Sequence, residues 1–387
     1  MINSIDREFV LRTLGGLVSI DSVNPSLDAS GAGEAAIAAY VARTAEGLGL
    51  EVARHEPEPG RVSVVATRKG TGGGRSLMLN AHLDTVGVEG MANPFLPEIR
   101  DGRLYGRGAY DMKGSLAACL AAVKALNNAG AKLAGDLLIA AVADEEYKSL
   151  GTADLIGRYA VDGAVVTEPT ELQLCLAHKG FTWFEVVTRG RAAHGSQVDR
   201  GIDANLRMGR FLARLADLER RLRTGPAHPL LGPPSLHAAT LHGGTGLSTY
   251  AESCTLRIER RTIPGESPDR VEGQIREIIA RLQSADPSFR ASLETLLVRE
   301  PFEAHAGAEI VQSLTAAATP VLGRPPRQVG ENPWMDSALL ASAGVDTVVF
   351  GPSGGGAHAR EEWVDVDSVI KTAAVLAGTA VSYCGMG

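Results

Sequence analysis

The sequence predicts an α/β protein in which a domain with a mostly parallel sheet is interrupted by an inserted, ferredoxin-like α+β domain. Helical and strand patterns alternate through the N-terminal part, as expected for a parallel sheet covered by helices. From residue 179 the order changes to β-α-β-β-α-β, and after residue 300 the earlier alternation returns. We therefore expect the α/β domain to comprise 1–178 and 299–387, with the inserted domain at 179–298.

The elements before the insertion follow from hydrophobic spacing. Apolar residues recur at helical spacing in three stretches, and short runs such as VSVVAT are typical of buried strands. We interpret the glycine-rich segment from Gly70 to Gly74 as a hairpin loop between two strands. Helices are expected at 4–19, 33–49 and 114–129, and strands at 62–67, 76–81, 137–143 and 163–167.

The inserted domain opens with GFTWFEVVTRG, which alternates like a strand with one exposed face. An arginine-rich amphipathic helix follows, and its arginines are expected to form a solvated face. The predicted order is a strand from about 179, a helix at 203–223, strands at 235–242 and 252–262, a helix at 268–283 and a strand at 291–299. After the inserted domain, the C-terminal part of the sequence predicts a helix at 305–319, a strand at 346–350 and a helix near 366–381.

Composition narrows the function. The 387 residues include 38 basic and 45 acidic side chains, so a basic nucleic-acid surface is not expected. The polar start MINSIDREFV is not followed by a long apolar run, and we expect neither a signal peptide nor a membrane span. The four cysteines are widely spaced, which favours reduced, mostly buried thiols in a cytoplasmic protein.

Metal-type ligands follow several predicted strands. His82 and Asp84 come directly after the strand SLMLN, and residues two apart on an extended chain point to the same side. A metal-binding imidazole often has a carboxylate nearby that orients its ring. By itself the pair is equally compatible with a satisfied surface contact.

Candidate metal ligands occur at four further places in the sequence. Asp111 opens an alanine-rich helix, DEE occupies 144–146 after LLIAAVA, Glu168 ends the next strand, and His358 follows a glycine-rich segment. Each has an ordinary alternative: a helix cap, a solvated loop, a strand-end turn and a solvated loop histidine. Because ligands bind beyond the carboxyl ends of parallel strands, the combination instead indicates a site for a pair of zinc-like ions.

The sequence resembles the co-catalytic zinc aminoacylase and carboxypeptidase G family, which includes acetylornithine deacetylase and succinyl-diaminopimelate desuccinylase. The matching segments are NAHLDTV, YGRGAYDMKG, ADEEYKS, TEPT, GRAAHGS, GGTG…CTLRIERRTIPGE and GGGAH. They run in the same order from 80 to 358 and cover most of the chain. The resemblance implies a zinc-binding α/β domain with an inserted ferredoxin-like dimerisation domain, or lid.

Carried onto this sequence, the resemblance implies a ligand set. His82 and Glu168 would bind one metal, Glu146 and His358 the other, and Asp111 both. The resemblance also implies a cis peptide bond after Asp111. The two ions would be zinc, with cobalt or manganese as alternatives.

The resemblance assigns roles to residues that are not ligands. Asp84 would orient His82, and Glu145 would be the general base. His194, in AAHGS on the lid, would reach the active site of the partner in a homodimer and stabilise the oxyanion. Arg261 would bind the carboxylate of a small-molecule substrate through its planar guanidinium.

One residue differs from the family's usual sequence, and one segment suggests another class of enzyme. Ser248 stands where the family usually has a substrate-binding Asn, so the substrate contacts there are open. The segment GPSGG partly resembles a nucleophile elbow at Ser353, but a serine hydrolase would need a helix directly after that serine. We interpret the segment, including Gly354, as a substrate-facing glycine loop, and Asp336 as a helix N-cap.

The resulting hypothesis is a metal-dependent hydrolase that cleaves an amide bond next to a free carboxylate. An N-acyl-L-amino acid is the first choice of substrate, which makes the activity a deacylase. A carboxypeptidase or dipeptidase of the same family is the alternative. A binding protein that keeps this fold without catalysis would be expected to lack Glu145 or a ligand, and the sequence retains them.

Overall fold

The computed structural model describes residues 5–387, so residues 1–4, including the start of the first predicted helix, lie outside the described residues. The chain divides into two compact units. The first comprises the described residues up to Leu176 together with Ala304–Val329 and Met335–Gly387. The second comprises Ala177–Glu303 and Gly330–Trp334. Relative to the predicted segment 179–298, the second unit begins slightly earlier, ends slightly later and includes a short return of the chain.

The elements have the following bounds. The helices are α1 (Arg7–Val18), α2 (Ala35–Gly47), α3 (Gly114–Asn128), α4 (Leu150–Ile156), α5 (Ala204–Thr224), α6 (Pro268–Ala285), α7 (Glu309–Leu322), α8 (Ser337–Ser342) and α9 (Val366–Cys384). The strands are β1 (Glu51–Glu58), β2 (Arg61–Arg68), β3 (Leu77–His82), β4 (Glu98–Arg100), β5 (Arg103–Tyr105), β6 (Leu137–Val142), β7 (Gly163–Val166), β8 (Leu174–His178), β9 (Gly180–Arg189), β10 (Ser235–Gly243), β11 (Ser253–Thr262), β12 (Arg290–Arg299), β13 (Phe302–Glu303), β14 (Gln328–Glu331), β15 (Asp346–Val349), β16 (Gly354–Gly355) and β17 (Trp363–Asp365). A kinked helical turn at Ala109–Lys113 leads into α3.

The main sheet of the first unit is mixed. Its strands follow the order β1-β2-β6-β3-β7-β15-β8. The four central strands β6, β3, β7 and β15 run parallel, whereas β1, β2 and β8 pair antiparallel with their neighbours. The carboxyl ends of the central strands therefore meet at one edge, where a ligand site is expected.

The core of the first unit is built from small and aliphatic side chains. Helix α3 is rich in alanine and buried along most of its length, and it packs against α9, which also packs against α7. Strands β3, β6 and β7 are buried at every position, as expected for strands covered on both faces. This packing leaves the loops at the strand ends to carry polar side chains.

The second unit is ferredoxin-like. Its sheet has the order β10-β11-β9-β12, every pairing is antiparallel, and α5 and α6 pack on it. Buried residues alternate along β9 and β11 and form a core with both helices. Edge strand β10 is mostly exposed and includes Leu241 with 51% of its surface accessible.

Some details differ from the sequence-based predictions. The segment Gly70–Gly74 is not a hairpin loop, because β6 lies between β2 and β3 in the sheet. Its backbone instead forms hydrogen bonds with residues 133–134. The N–H of Thr71 donates to the carbonyl of Leu133, and the N–H of Gly72 donates to that of Ala134. Strand β1 was not predicted, since its sequence EVARHEPE is polar, as is common for an edge strand.

Two further expectations can be compared with the structure. All four cysteines are buried, as predicted. Within residues 5–387, no helix has the length and apolar character needed to cross a membrane.

Candidate metal centre

His82 ends the buried strand β3, and its ring is oriented by the main chain. Its Nδ1 donates a hydrogen bond to the backbone oxygen of Asp84 at 2.8 Å. Because Nδ1 carries that proton, Nε2 is left as the metal-binding nitrogen. Nε2 lies 3.0 Å from Asp111 Oδ1 and 3.7 Å from Glu168 Oε1.

The carboxylate of Asp111 lies between two imidazoles. Its Oδ1 faces His82, and its Oδ2 lies 3.3 Å from Nε2 of His358. The same nitrogen of His358 lies 3.1 Å from Glu146 Oε2. One carboxylate thus presents a different oxygen to each histidine, which is the arrangement needed for a ligand shared by two cations. The peptide bond between Asp111 and Met112 is cis, as the family resemblance implied.

The donor atoms fall into two overlapping groups. His82, Glu145 and Glu168 form one group, and His82, Asp111 and Glu146 form the other, with ligand atoms within 4.8 Å of one another in each. Imidazole nitrogens and carboxylate oxygens are donors that zinc accepts. Glu145, which we predicted as a base and not as a ligand, is therefore also close enough to His82 and Glu168 to bind an ion with them.

The electrostatics favour cations. Burial, together with the charges of Asp111 and Glu146, raises the pKa of Glu168 to about 8. Burial and the charge of Glu168 raise the pKa of Glu145 well above its ordinary value. Hydrogen bonds with Asp111 and Glu146 raise the pKa of His358 to about 10. Because crowded carboxylates repel one another, divalent cations between them would relieve this repulsion, and the residues present fit two such ions.

Asp84 contributes in a way that differs from the expected one. Its carboxylate is 3.7 Å from the His82 ring, too far for a hydrogen bond, and the carbonyl oxygen makes the contact instead. The carboxylate accepts the backbone N–H of Glu145 at 3.1 Å and of Glu146 at 3.2 Å. Asp84 therefore connects β3 to the loop that carries two candidate site residues.

A buried network behind Asp84 was missed from the sequence. Asn24 donates to Asp84 Oδ2 at 2.8 Å and to Asp144 Oδ1 at 3.0 Å. The guanidinium of Arg61 donates to Asn24 Oδ1, to Glu34 at 2.6 Å and to Asp144 at 2.8 Å. Burial and the charge of Asp84 raise the pKa of Glu34 to about 7. These residues lie in separate parts of the sequence, and no local pattern pointed to them.

Asp336 occupies the N-cap position of α8, as predicted, but its side chain makes no capping hydrogen bond there. It is buried and accepts a hydrogen bond from the hydroxyl of Thr152. Burial raises the pKa of Asp336 to about 6. The carboxylate therefore faces the interior of the first unit.

The glycine loop before His358 packs closely. The backbone N–H of Gly354 donates to Glu171 Oε1 at 3.1 Å, and Tyr110 Oη donates to the same oxygen at 2.6 Å. A Cβ at Gly354 would lie 2.5 Å from the Tyr110 ring, so this close approach requires glycine. Ser353 is followed by strand β16 and not by the helix that a nucleophile elbow requires.

The remaining candidate residues belong to the second unit. His194 is exposed, and its Nδ1 lies 2.8 Å from Ser196 Oγ. His194 pairs with Thr249 in an isolated bridge, and the N–H of the next residue, Gly195, donates to the carbonyl of Ser248 at 2.7 Å. Arg261 lies on β11 and donates to Glu259 at 2.7 Å. The segments that carry His194 and Ser248, assigned separately from the sequence, therefore pair with each other.

Comparison with known proteins gives consistent matches. Residues 78–382 match the profile of Peptidase family M20/M25/M40. An acetylornithine deacetylase of Myxococcus xanthus is 32% identical over 332 residues, covering 84% of this chain and 85% of the relative. An N-formyl-4-amino-5-aminomethyl-2-methylpyrimidine deformylase of Bacillus subtilis (strain 168) is 28% identical, covering 90% of this chain and 89% of the relative.

Solved structures share the fold. An M20 family metallo-carboxypeptidase of Sulfolobus solfataricus superposes with a TM-score of 0.79 at 19% identity, covering 97% of this chain and 99% of the other. A dinuclear metal-binding M20 peptidase of Bacillus subtilis gives a TM-score of 0.75 at 16% identity, covering 97% and 98%. These matches agree with the resemblance inferred from the sequence segments and confirm the predicted fold class.

Proposed function

Since this chain belongs to Peptidase family M20/M25/M40, a family of metal-dependent hydrolases, we propose that it deacylates an N-acyl-L-amino acid. The observation that carries the proposal is the carboxylate of Asp111, with one oxygen facing each of two histidines. The substrate class is supported by the acetylornithine deacetylase that is 32% identical to this chain. The four cysteines are free thiols, which supports a cytoplasmic location.

The proposed ligand set follows the contacts in the first unit. His82 and Glu168 would hold one ion, Glu146 and His358 would hold the other, and Asp111, whose oxygens face both histidines, would serve both. Zinc is the proposed metal, with cobalt or manganese as alternatives. When bound, such ions polarise the scissile carbonyl and lower the pKa of a water molecule.

Glu145 is the proposed general base and acid. It removes a proton from the attacking water and returns that proton to the leaving nitrogen. Its backbone is held by Asp84, which also holds the backbone of Glu146, so the base and a ligand share one support. A charged carboxylate beside Glu168 is expected to accept a proton readily.

The second unit supplies the proposed substrate contacts. Arg261 binds the substrate carboxylate, and its guanidinium already lies 5.2 Å from the Phe181 ring and contacts Glu259. Ser248 and, in the first unit, Gly354 are proposed as further substrate contacts. We also propose a homodimer formed through the second unit, with the exposed edge strand β10 supporting that choice.

The proposed function is tested with metal-reconstituted protein and a substrate panel. N-acetyl-L-ornithine and other N-acetyl-L-amino acids should be hydrolysed, and their carboxamides much more slowly, because the free carboxylate is recognised. A chelator should abolish hydrolysis, and added zinc, cobalt or manganese should restore it. Preference for dipeptides would favour the carboxypeptidase or dipeptidase alternative, and hydrolysis that survives complete metal removal would contradict the proposal.

His194 is expected to act in the partner's active site. The variant His194→Ala should lose about 10²–10³-fold in kcat, the effect typical of an oxyanion donor. Mixing it with an inactive Glu145→Ala protein should restore activity, because one site of the mixed dimer then has both residues. With random exchange, half of the dimers are mixed and each has one complete site, giving about a quarter of wild-type activity.

The control for that experiment mixes Glu145→Ala with Asp111→Ala. Each of these residues acts in the site of its own subunit. One site of that mixed dimer therefore lacks Glu145 and the other lacks Asp111, and no activity should return. Subunit exchange is verified with two affinity tags. If exchange occurs and the His194→Ala mixture stays inactive, His194 does not act across the dimer.

A further inference from the structure

Glu362 is a buried residue whose carboxylate accepts hydrogen bonds from the backbone of the segment leading to Asp111. Its Oε1 accepts the N–H groups of Tyr110 and Asp111, each at 3.0 Å. Its Oε2 accepts the N–H of Gly108 at 3.0 Å and a guanidinium N–H of Arg107 at 2.7 Å. Only 1% of the Glu362 side chain is exposed, so these four bonds are not shared with solvent.

Arg107 extends these contacts to two other loops. Its Nη2 donates to the carbonyl oxygen of Ala359 at 3.0 Å, and its Nε donates to that of Gly87 at 3.2 Å. The side chain is 3% exposed. Arg107 therefore joins the loop after β3 to the residue that directly follows His358.

The two members of this ion pair lie close to metal-ligand candidates in the sequence. Arg107 precedes Asp111 by four positions, and Glu362 follows His358 by four. Strand β17, which begins after Glu362, pairs antiparallel with β5, which ends before Gly106. In addition, the Gly106 N–H donates to the backbone oxygen of Glu362 at 3.1 Å. The pairing of these strands thus brings the two ligand segments together.

The backbone between them is shaped for this contact. Gly108 has a φ of 78°, and a Cβ there would lie 2.8 Å from Thr85 and 2.9 Å from Lys113. This turn directs three N–H groups, those of Gly108, Tyr110 and Asp111, toward one carboxylate, much as backbone amides converge on an anion. Charge-assisted bonds of this kind are shorter and stronger than neutral ones.

A pair that served only to stabilise the fold would not need to bond to the backbone of Asp111 itself. We infer that the Arg107–Glu362 pair is a positioning device that holds Asp111 and His358 at the spacing required for the two-metal site. Neither residue touches the substrate or the metal in this assignment. The inference rests on the proposed function, since it takes Asp111 and His358 as ligands.

The test measures metal binding to metal-free Glu362→Gln protein by calorimetry with zinc. The amide keeps the volume of the side chain but turns an N–H₂ toward Gly108 and Arg107, which are themselves donors. We expect metal affinity to fall about 10–100-fold, the usual cost of losing an outer partner of a ligand. The absorption spectrum of cobalt-loaded protein should also change, because the ligand positions shift.

The matched control is Glu361→Gln, which removes a charge from the neighbouring residue, whose side chain is 71% exposed. It should bind metal like the wild type. If Glu362→Gln is too unstable to purify, Glu362→Asp retains the charge but is too short to reach all four donors, and the same loss is expected. A variant with a lowered melting temperature but unchanged metal affinity and cobalt spectrum would overturn the inference.

The two levels of the assignment fail in different ways. If the wild type itself binds no second ion, the proposed two-metal function is wrong. If the wild type binds two ions and both Glu362 variants bind them equally well, only the positioning role is wrong.

Discussion

The variant Glu145→Ala is expected to retain both metal ions and to turn over its substrate at least about 10²–10⁴-fold more slowly than the wild type, the range for loss of a general acid–base group. KM should change little, because the proposed role of Glu145 is to move a proton and not to bind substrate. Metal content is measured by elemental analysis of the purified protein, and turnover with the best N-acetyl amino acid of the panel.

The neighbouring residue provides the control for this prediction. Glu146 carries the same chemical group, and its Oε2 lies 3.1 Å from His358, so Glu146→Ala should lose metal as well as activity. The contrast is informative because Glu145 also lies within reach of His82 and Glu168. If Glu145→Ala loses an ion, Glu145 is a ligand and another group must act as the base.

Asp111→Ala is expected to weaken binding of both ions and to abolish activity. The loss of affinity should exceed the 10–100-fold that removal of an outer partner costs, because a shared ligand is removed from two sites at once. Titration of metal-free protein by calorimetry should therefore show no tight site. Loss of only one ion would mean that Asp111 belongs to a single site.

The conservative variant separates charge from shape. Asp111→Asn keeps the side-chain volume but lowers the negative charge between His82 and His358, so both affinities should still fall. Asp101→Asn makes the same chemical change in an exposed turn and should leave metal binding unchanged. Asparagine also tolerates the positive φ of 47° found at residue 101.

Long elements with a clear hydrophobic period could be predicted from the sequence. Helices α3 and α9 and the buried strands β3, β6 and β7 have enough apolar residues for their period to identify them. The polar edge strand β1 and two-residue strands such as β16 could not be predicted. They form because the next strand along the chain supplies hydrogen-bond partners, β2 for β1 and β17 for β16, and this pairing leaves no hydrophobic period in a polar or two-residue strand.

The sequence was also sufficient to indicate several of the side chains that gather at the candidate metal centre. His82 ends β3, and Glu145 and Glu168 follow the ends of β6 and β7. Parallel strands end at the same edge of a sheet, so a residue's position along its own strand already specifies its place at that edge.

The partners of those side chains depended on packing between distant segments. That Asp84 contacts the His82 ring through its carbonyl oxygen, or that Asn24 supports Asp84, follows from how loops meet and not from residue spacing. The same holds for Glu362, which reaches the backbone of Asp111 from 251 positions away. Hydrogen bonds are short and directional, so their partners are specified only once the chain is folded to within a few tenths of an ångström.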